Sequence, residues 1–343
     1  MRGAPDRRMT VPPRPTLSRA LLIERLPGYV GQAALLAVVG WLASRGVANF
    51  QANARALNLS AGFGFLHAQA GFQIAQSLIP FGPASTYLDA IVAAALNTLL
   101  VVVLASVVGT LIGLGIAFGR LAPDGLVQRA SSGYVEVFRN IPLLLQILFW
   151  YFSVIALLPP VGDSLQLGAV LLNNRGLFLP RLLLHGQFGL DRPQIEGLAV
   201  GGGFAILPEL MALTLGLAIY NSTFLAEIFR AGILSVPRGQ IEAAATLGLS
   251  GTRAAWLITL PQALRVALPA AGGQYQALAK ASSLAAAIGY PDIMQIIGGT
   301  IASQTSQALE AMALVVVLYG AINLAIALVI GLANRRLLAR EGR

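Results

Sequence analysis

Charge-free apolar runs constrain this chain more tightly than any other feature. Gly28 to Ser44, Ala90 to Gly119, Asn140 to Leu158, Leu210 to Ala226 and Ala311 to Asn334 hold no Asp, Glu, Lys or Arg, and a sixth run, Val266 to Ile288, is broken by Lys280 alone. A helix needs roughly 20 apolar residues to cross ~30 Å of hydrocarbon with every backbone group paired internally. The runs therefore predict an all-α integral membrane protein with six transmembrane helices. Val266 to Ile288 is the weakest, being rich in Ala and Gly and interrupted by Pro269, Gln274, Gln276 and Lys280. Composition agrees, since 11% of the 343 residues are charged, where a soluble domain carries about a quarter.

The arginines orient these helices, because basic residues are retained on the cytoplasmic side. With the N-terminus inside and six crossings, the inside segments hold 17 basic residues and the outside five, while Lys280 stays in the membrane. The 14 acidic residues divide evenly, so arginine placement sets the direction and puts both termini in the cytoplasm. The N-terminal basic region, apolar run and Ala52-Asn53-Ala54 resemble a secretory signal. Against that reading, the basic region is too long and the small-residue site lies too far beyond the run.

Lys280 is the only lysine and there is no cysteine. A phosphate-binding P-loop needs G-x-x-x-x-G-K-[ST], and Lys280 stands between Ala279 and Ala281, so the chain carries no such nucleotide site. Thiolate chemistry and disulfides are excluded. The two histidines, His67 and His185, have no second ligand at metal-like spacing, so no metal site is expected. An intramembrane protease would need a Ser-His pair or two aspartates within the bilayer, and the histidines fall outside the spans. An ion-coupled secondary transporter would need intramembrane carboxylates and an inverted repeat, and neither is evident.

Residues 235–261 read as a compact cytoplasmic helix-turn-helix. Ser235 with Pro237 two residues on marks a helix start, an Ala-rich helix follows from Gln240 to Leu247, and Gly248 ends it in a left-handed conformation. Ser250 caps a second helix that runs to Leu260, where Pro261 marks a break. The element is too polar to cross a membrane and too apolar for a plain linker, which suits a docking surface.

In order, Glu242-Ala243-Ala244, Gly248, Ile258 and Leu260-Pro261 match the E-A-A-x3-G-x9-I-x-L-P loop, and the chain resembles the membrane subunits of binding-protein-dependent ABC importers. In that family the loop is the coupling helix, seated in a groove of a separate ATP-binding subunit. Asn97-Thr98-Leu99, Glu136-Val137-Phe138-Arg139-Asn140-Ile141-Pro142 through Gln146, Ala226-Glu227-Ile228-Phe229-Arg230 and Lys280-Ala281-Ser282-Ser283-Leu284 resemble the polar amino acid (histidine/glutamine) branch. The extra first helix and long outer segments, including Leu172-Asn173-Asn174-Arg175-Gly176, look like the Q-type permease subunit of general L-amino acid importers of Gram-negative bacteria.

The resemblance implies a type I importer transmembrane domain over 90–335. Its helices are expected at about 90–119, 140–158, 208–229, 266–288 and 311–334, with a periplasmic insert at 159–207 and the coupling loop at 235–261. Before it come an Arg/Pro-rich tail (1–27), an extra transmembrane helix (28–46) and a periplasmic segment (47–89); a cytoplasmic tail (336–343) follows. The implied partners are two copies of an ABC ATP-binding subunit, which use ATP and Mg, a homologous permease, a periplasmic amino-acid-binding protein and membrane lipid. No cofactor on this chain and no nucleic acid is expected. The chain itself performs no covalent chemistry.

An ionisable group in hydrocarbon is costly unless paired or wet, so Lys280 is a functional candidate. With Gln274, Gln276, Ser282 and Ser283 it is expected to line a translocation path and meet a substrate carboxylate; the bland alternative is a pair with Glu227 or a headgroup. Asn221 and Ser222 form a second polar cluster, beside Thr223, able to contact substrate or simply neighbouring helices. Glu136 and Arg139 are expected to pair with Arg230 or Glu227 at an inner gate, or to be a solvated edge cluster. Gly109 with Gly113, and Gly115 with Gly119, predict close helix packing.

Overall fold

A computed structural model describes residues 19–56, 62–183, 189–197 and 199–339. Two compact units divide at Ala61 and Gly62. In the first, helix α1 (Arg19–Ala56) carries the apolar window Gly28–Asn49. It is longer than the expected 28–46 and takes up residues 19–27, which composition had assigned to the tail. A charge ends a membrane run without ending a helix, because Arg is itself a good helix former.

The second unit is built around α2 (Tyr87–Leu121) and α5 (Pro208–Leu234). A capping box starts α2: the Thr86 side chain accepts from the Asp89 N–H at 3.2 Å, and Thr86 N–H donates to Asp89 Oδ2 at 2.9 Å. Gly109 and Gly113 let the helices touch, since an added Cβ would come within 3.1 Å of Ala218 O and 2.9 Å of Leu225 Cβ. At Gly115 an added Cβ would meet nothing within 4 Å, so the expected second glycine pair does not act as a pair.

The third crossing departs from a simple span. Helix α3 (Gly125–Asn140) turns through 102° into α4 (Leu143–Leu157). Pro142 removes an N–H at this corner, and Gln146 Nε2 donates to Phe138 O at 2.7 Å and Ile141 O at 3.0 Å, occupying carbonyls the corner frees. At ~1.5 Å per residue α4 alone is too short to cross. Among the described residues five helices are long and apolar enough to span, or six if α3 and α4 count as one bent span.

The described residues of the expected insert, 159–207, fold into short strands. β1 (Leu165–Leu167), β2 (Val170–Asn173), β3 (Gly176–Leu179) and β8 (Phe204–Ile206) form an antiparallel sheet in the order β1-β2-β3-β8. Two hairpins fill the rest, β4 (Arg181–Leu183) with β5 (Gly189–Asp191) and β6 (Gln194–Glu196) with β7 (Ala199–Gly201). The Asn173-to-Gly176 motif is the β2–β3 turn: buried Asn173 accepts from Arg175 N–H at 2.8 Å and donates to Ser164 Oγ at 2.9 Å. His185 lies outside the described residues, and these contain no cluster able to hold a metal.

After α5 come α6 (Arg238–Thr246), α7 (Gly251–Ala254), a π turn (Ala255–Thr259) and α8 (Leu260–Ala281). A 3-10 turn (Ser282–Ile288), a π turn (Met294–Ile301), short α9 (Ala302–Thr305) and α10 (Ala308–Ala339) complete the chain. The largest core side chains, Tyr290, Ile147, Leu210, Leu213, Leu217, Ile293 and Ile297, lie where α2, α4, α5 and the 289–305 segment meet.

Candidate functional site

The α6–α7 loop ends as the sequence predicts and begins and exits differently. Gly248 has φ +74 and donates to Ala245 O at 3.0 Å, while Leu249 N–H reaches Ala244 O at 3.1 Å. Ser235 closes α5 instead of opening α6, because α5 continues to Leu234. Ser250 stands at the start of α7 without a side-chain cap bond. Pro261 is not a break: it sits in the first turn of α8, and the preceding π turn passes Leu260 N–H to Ala255 O, five residues back. Span and loop thus share one helical segment, Gly251–Ile288.

Ala244 and Ala254 are buried where α6 meets α7, whereas Glu242 and Ala243 are exposed beside Ile241 and Leu247. Glu242 has no hydrogen bond or ion pair among the described residues. Ile258, Leu260 and Pro261 are half-buried at the root of the loop, and Gln262 donates to Gln240 to tie α8 to α6.

At the same end of the bundle Glu227 is held by Arg120 of α2 and by Arg230 of its own helix. The inner-gate pairing of Glu136 or Arg139 with Arg230 or Glu227 is thus not formed among the described residues, and their exposure fits the other reading, a solvated edge cluster. Glu136 is exposed and in no ion pair among the described residues, and Arg139 bonds neither Glu227 nor Arg230. The α3–α4 corner places Arg139 one turn short of Glu227: its Nη2 donates to Thr223 O at 2.9 Å and its guanidinium lies 4.5 Å from the Phe224 ring centre. Arg120 escaped the sequence reading because it terminates an apolar run and looks like an ordinary membrane-edge charge.

The expected path residues separate into three environments. Asn221 and Gln274 line a cavity of about 360 Å³ between α4, α5 and α8, with Leu143, Tyr220, Phe224 and Leu278. Both amide atoms of Asn221 are buried and without a partner among the described residues, at about 1 to 3 kcal/mol per group, and the amide nitrogen lies toward Gly109 of α2. Gln276 and Lys280, on a different face of α8, and Ser283 of the following 3-10 turn line a second cavity of about 580 Å³ against α10, with Tyr319 and Asn323. Lys280 is exposed and does not reach Glu227. Ser222 and Ser282 line neither: Ser222 donates to Ile219 O at 2.7 Å and contacts Tyr134 Oη at 2.8 Å, and Ser282 donates to Ala279 O at 2.8 Å. Thr223 likewise turns back to Tyr220 O at 2.7 Å. One solute touching all of these residues is not what the helices build.

At the Tyr87 end, Asn97 clasps three segments. Its Nδ2 donates to Gln76 O at 2.8 Å and Pro291 O at 2.9 Å, and its carbonyl accepts from Tyr290 Oη at 3.2 Å. Thr98 Oγ1 accepts Ile293 N–H at 3.1 Å. Asp292, between the spans, accepts from Gln295 N–H and from Tyr319 Oη, both at 2.8 Å. Burial pushes its carboxyl up to about 6 against the lowering effect of these donors.

Residues 109–339 match the family described as binding-protein-dependent transport system inner membrane component. The chain belongs to that family. YhdX of Escherichia coli (strain K12) is 37% identical, with 89% of this chain and 91% of that protein covered. The general L-amino acid transport system permease protein AapQ of Rhizobium johnstonii is 36% identical over 87% of each chain. The glutamate/glutamine/aspartate/asparagine transport system permease protein BztB of Rhodobacter capsulatus is 33% identical, covering 89% and 91%. Among solved structures, an amino acid ABC transporter crystallised with histidines aligns with TM-score 0.53 and 26% identity over 73% of this chain and 95% of its own. The helical importer architecture expected from the motifs is therefore the fold of this chain.

Proposed function

We propose that this chain is the membrane-spanning permease subunit of a binding-protein-dependent ABC importer and carries L-amino acids inward across the inner membrane, driven by ATP hydrolysed on a separate subunit. The observation that carries the reading is the α6–α7 loop, which exposes Glu242 without a partner beside Ile241 and Leu247 in a chain that has no P-loop lysine. The named relatives support the substrate class. A broad L-amino acid range follows the AapQ likeness.

In this reading two ATP-binding subunits, holding ATP and Mg, dock on the coupling loops of this chain and a homologous permease. A periplasmic binding protein delivers substrate to the Tyr87 end, and both termini face the cytoplasm, a direction the arginine bias supports. The cavity between α4, α5 and α8 contacts the substrate, because the half-buried Gln274, with no hydrogen bond among the described residues, opens onto it beside Tyr220 and Phe224. The Lys280 cavity faces lipid or the companion permease at mid-membrane depth, where its ammonium meets a carboxylate or polar group.

Proteoliposomes holding the permease pair, the ATPase and the binding protein test this. Glu242→Ala should lower ATP-driven L-glutamine uptake at least about tenfold, the loss of roughly 1.4 kcal/mol of docking or coupling energy, with membrane insertion unchanged. Uptake that persists without any ATPase subunit would overturn the reading in favour of ion-coupled transport.

A further inference from the structure

We propose that Arg139 is a positioning residue: it clamps the Phe224 ring across the Arg120-side mouth of the Asn221 cavity, so that substrate leaves toward the cytoplasm when this stack opens. The inference rests on the importer reading above and adds an exit gate to the same cavity. Asn221 and Phe224 are three residues apart on α5, one turn on the same face, and both line the cavity. Phe224 is the nearer of the two to the Arg120 end. Its ring is held on one side by Tyr220, with centroids 5.2 Å apart, and is covered by the Arg139 guanidinium at 4.5 Å. The bond from Arg139 Nη2 to Thr223 O, 2.9 Å, fixes the guanidinium on the helix that carries the ring.

The α3–α4 corner supplies both the wall and the clamp. Leu143, the first residue of α4, lines the cavity, and Arg139 lies at the last turn of α3. Gln146 locks the corner between them through Phe138 O and Ile141 O. These contacts account for the otherwise unassigned spacing Glu136-x-x-Arg139-x-x-Pro142-x-x-x-Gln146, except Glu136. Arg139 is in no ion pair among the described residues, and Glu227, one turn beyond Thr223, is engaged by Arg120 and Arg230. A guanidinium stacks on an aromatic face through its planar, weakly hydrated surface, which lysine lacks.

The test uses the whole reconstituted complex, without nucleotide, and follows release of bound radiolabelled L-glutamine. Arg139→Gln and Phe224→Leu should each speed release about two- to fivefold, the range of a single cation–π contact, with the amount of assembled complex unchanged. The double variant should release no faster than either single one, since both remove the same stack. Arg139→Lys keeps the charge and loses the planar face, so it should release like Arg139→Gln, and Phe224→Trp should restore slow release. Effects that multiply in the double variant, or Phe224→Trp behaving like Phe224→Leu, would overturn the gate while leaving the importer reading intact. A wild-type complex that binds and hydrolyses ATP yet imports no amino acid would instead remove the reading beneath it.

Discussion

At its Tyr87 end the bundle is joined by groups sealed from solvent, neutral ones around Asn97 and the buried carboxyl of Asp292, and at its Arg120 end by charges that keep part of their surface open. Asn97, Thr98 and Ser282 are at most 1% exposed. Around them amide, hydroxyl and backbone groups tie α2 to residues 62–86 and 289–305. The Arg120–Glu227–Arg230 cluster leaves 22 to 37% of each side chain accessible, and Arg139 beside it is exposed. Neutral bonds in a dry site are costly to break because nothing replaces them. Partly wet charges exchange partners at lower cost. An importer that alternates between two openings must open each end in turn, and the two ends of this chain differ in the chemistry that opening would have to break.

Asn97→Ala should be the largest single disruption of that contrast. It leaves the Gln76 and Pro291 carbonyls unpaired in the core, at about 1 to 3 kcal/mol each, and should lower the apparent unfolding temperature of the purified complex by several degrees. A smaller effect is expected between the ends, at the glycine seam. Gly113→Ala drives a Cβ to 2.9 Å from Leu225 and should cost about 1 to 3 kcal/mol by overpacking. Gly115→Ala, with open space around it, should be neutral or slightly stabilising through helix propensity. Equal losses at both glycines would mean that the α2–α5 contact is not what the seam protects.

How far the sequence revealed this depends on whether a signal is local. Gly248 was legible because a left-handed turn favours a residue without Cβ. Gly109 and Gly113 were legible as a pair, but nothing in the spacing told them from Gly115 and Gly119, since only the neighbour α5 decides which pair is covered. Pro261 misled because a π turn absorbs a proline without ending the helix. The strands of 159–207 were missed because runs of three or four residues show too little alternation beside Gly and Pro. In the candidate site, the separation of Asn221 from Lys280 follows from the rotation of α8, which a list of polar residues does not encode. Asn97 and Arg120 act across long sequence separations, so their roles emerge only when the helices are assembled.

Glu227→Gln tests the charged end and should have the smallest effect on stability. Removing the carboxylate leaves Arg120 and Arg230 facing a neutral amide, but both guanidinium groups retain access to water, so about 1 kcal/mol is expected. The sharper signature is its dependence on salt. Raising ionic strength from about 0.05 to about 0.5 M shortens the screening length from above 10 Å to a few Å. In the wild-type complex this should weaken the Arg120–Glu227–Arg230 cluster and lower the unfolding temperature slightly. In Glu227→Gln the attraction is already gone and only repulsion between the arginines remains to be screened, so added salt should leave stability unchanged or raise it. Asn97→Ala should keep the wild-type salt response, because the groups it disturbs carry no charge. If Asn97→Ala and Glu227→Gln responded to salt alike, the two ends would not differ in the way their chemistry indicates.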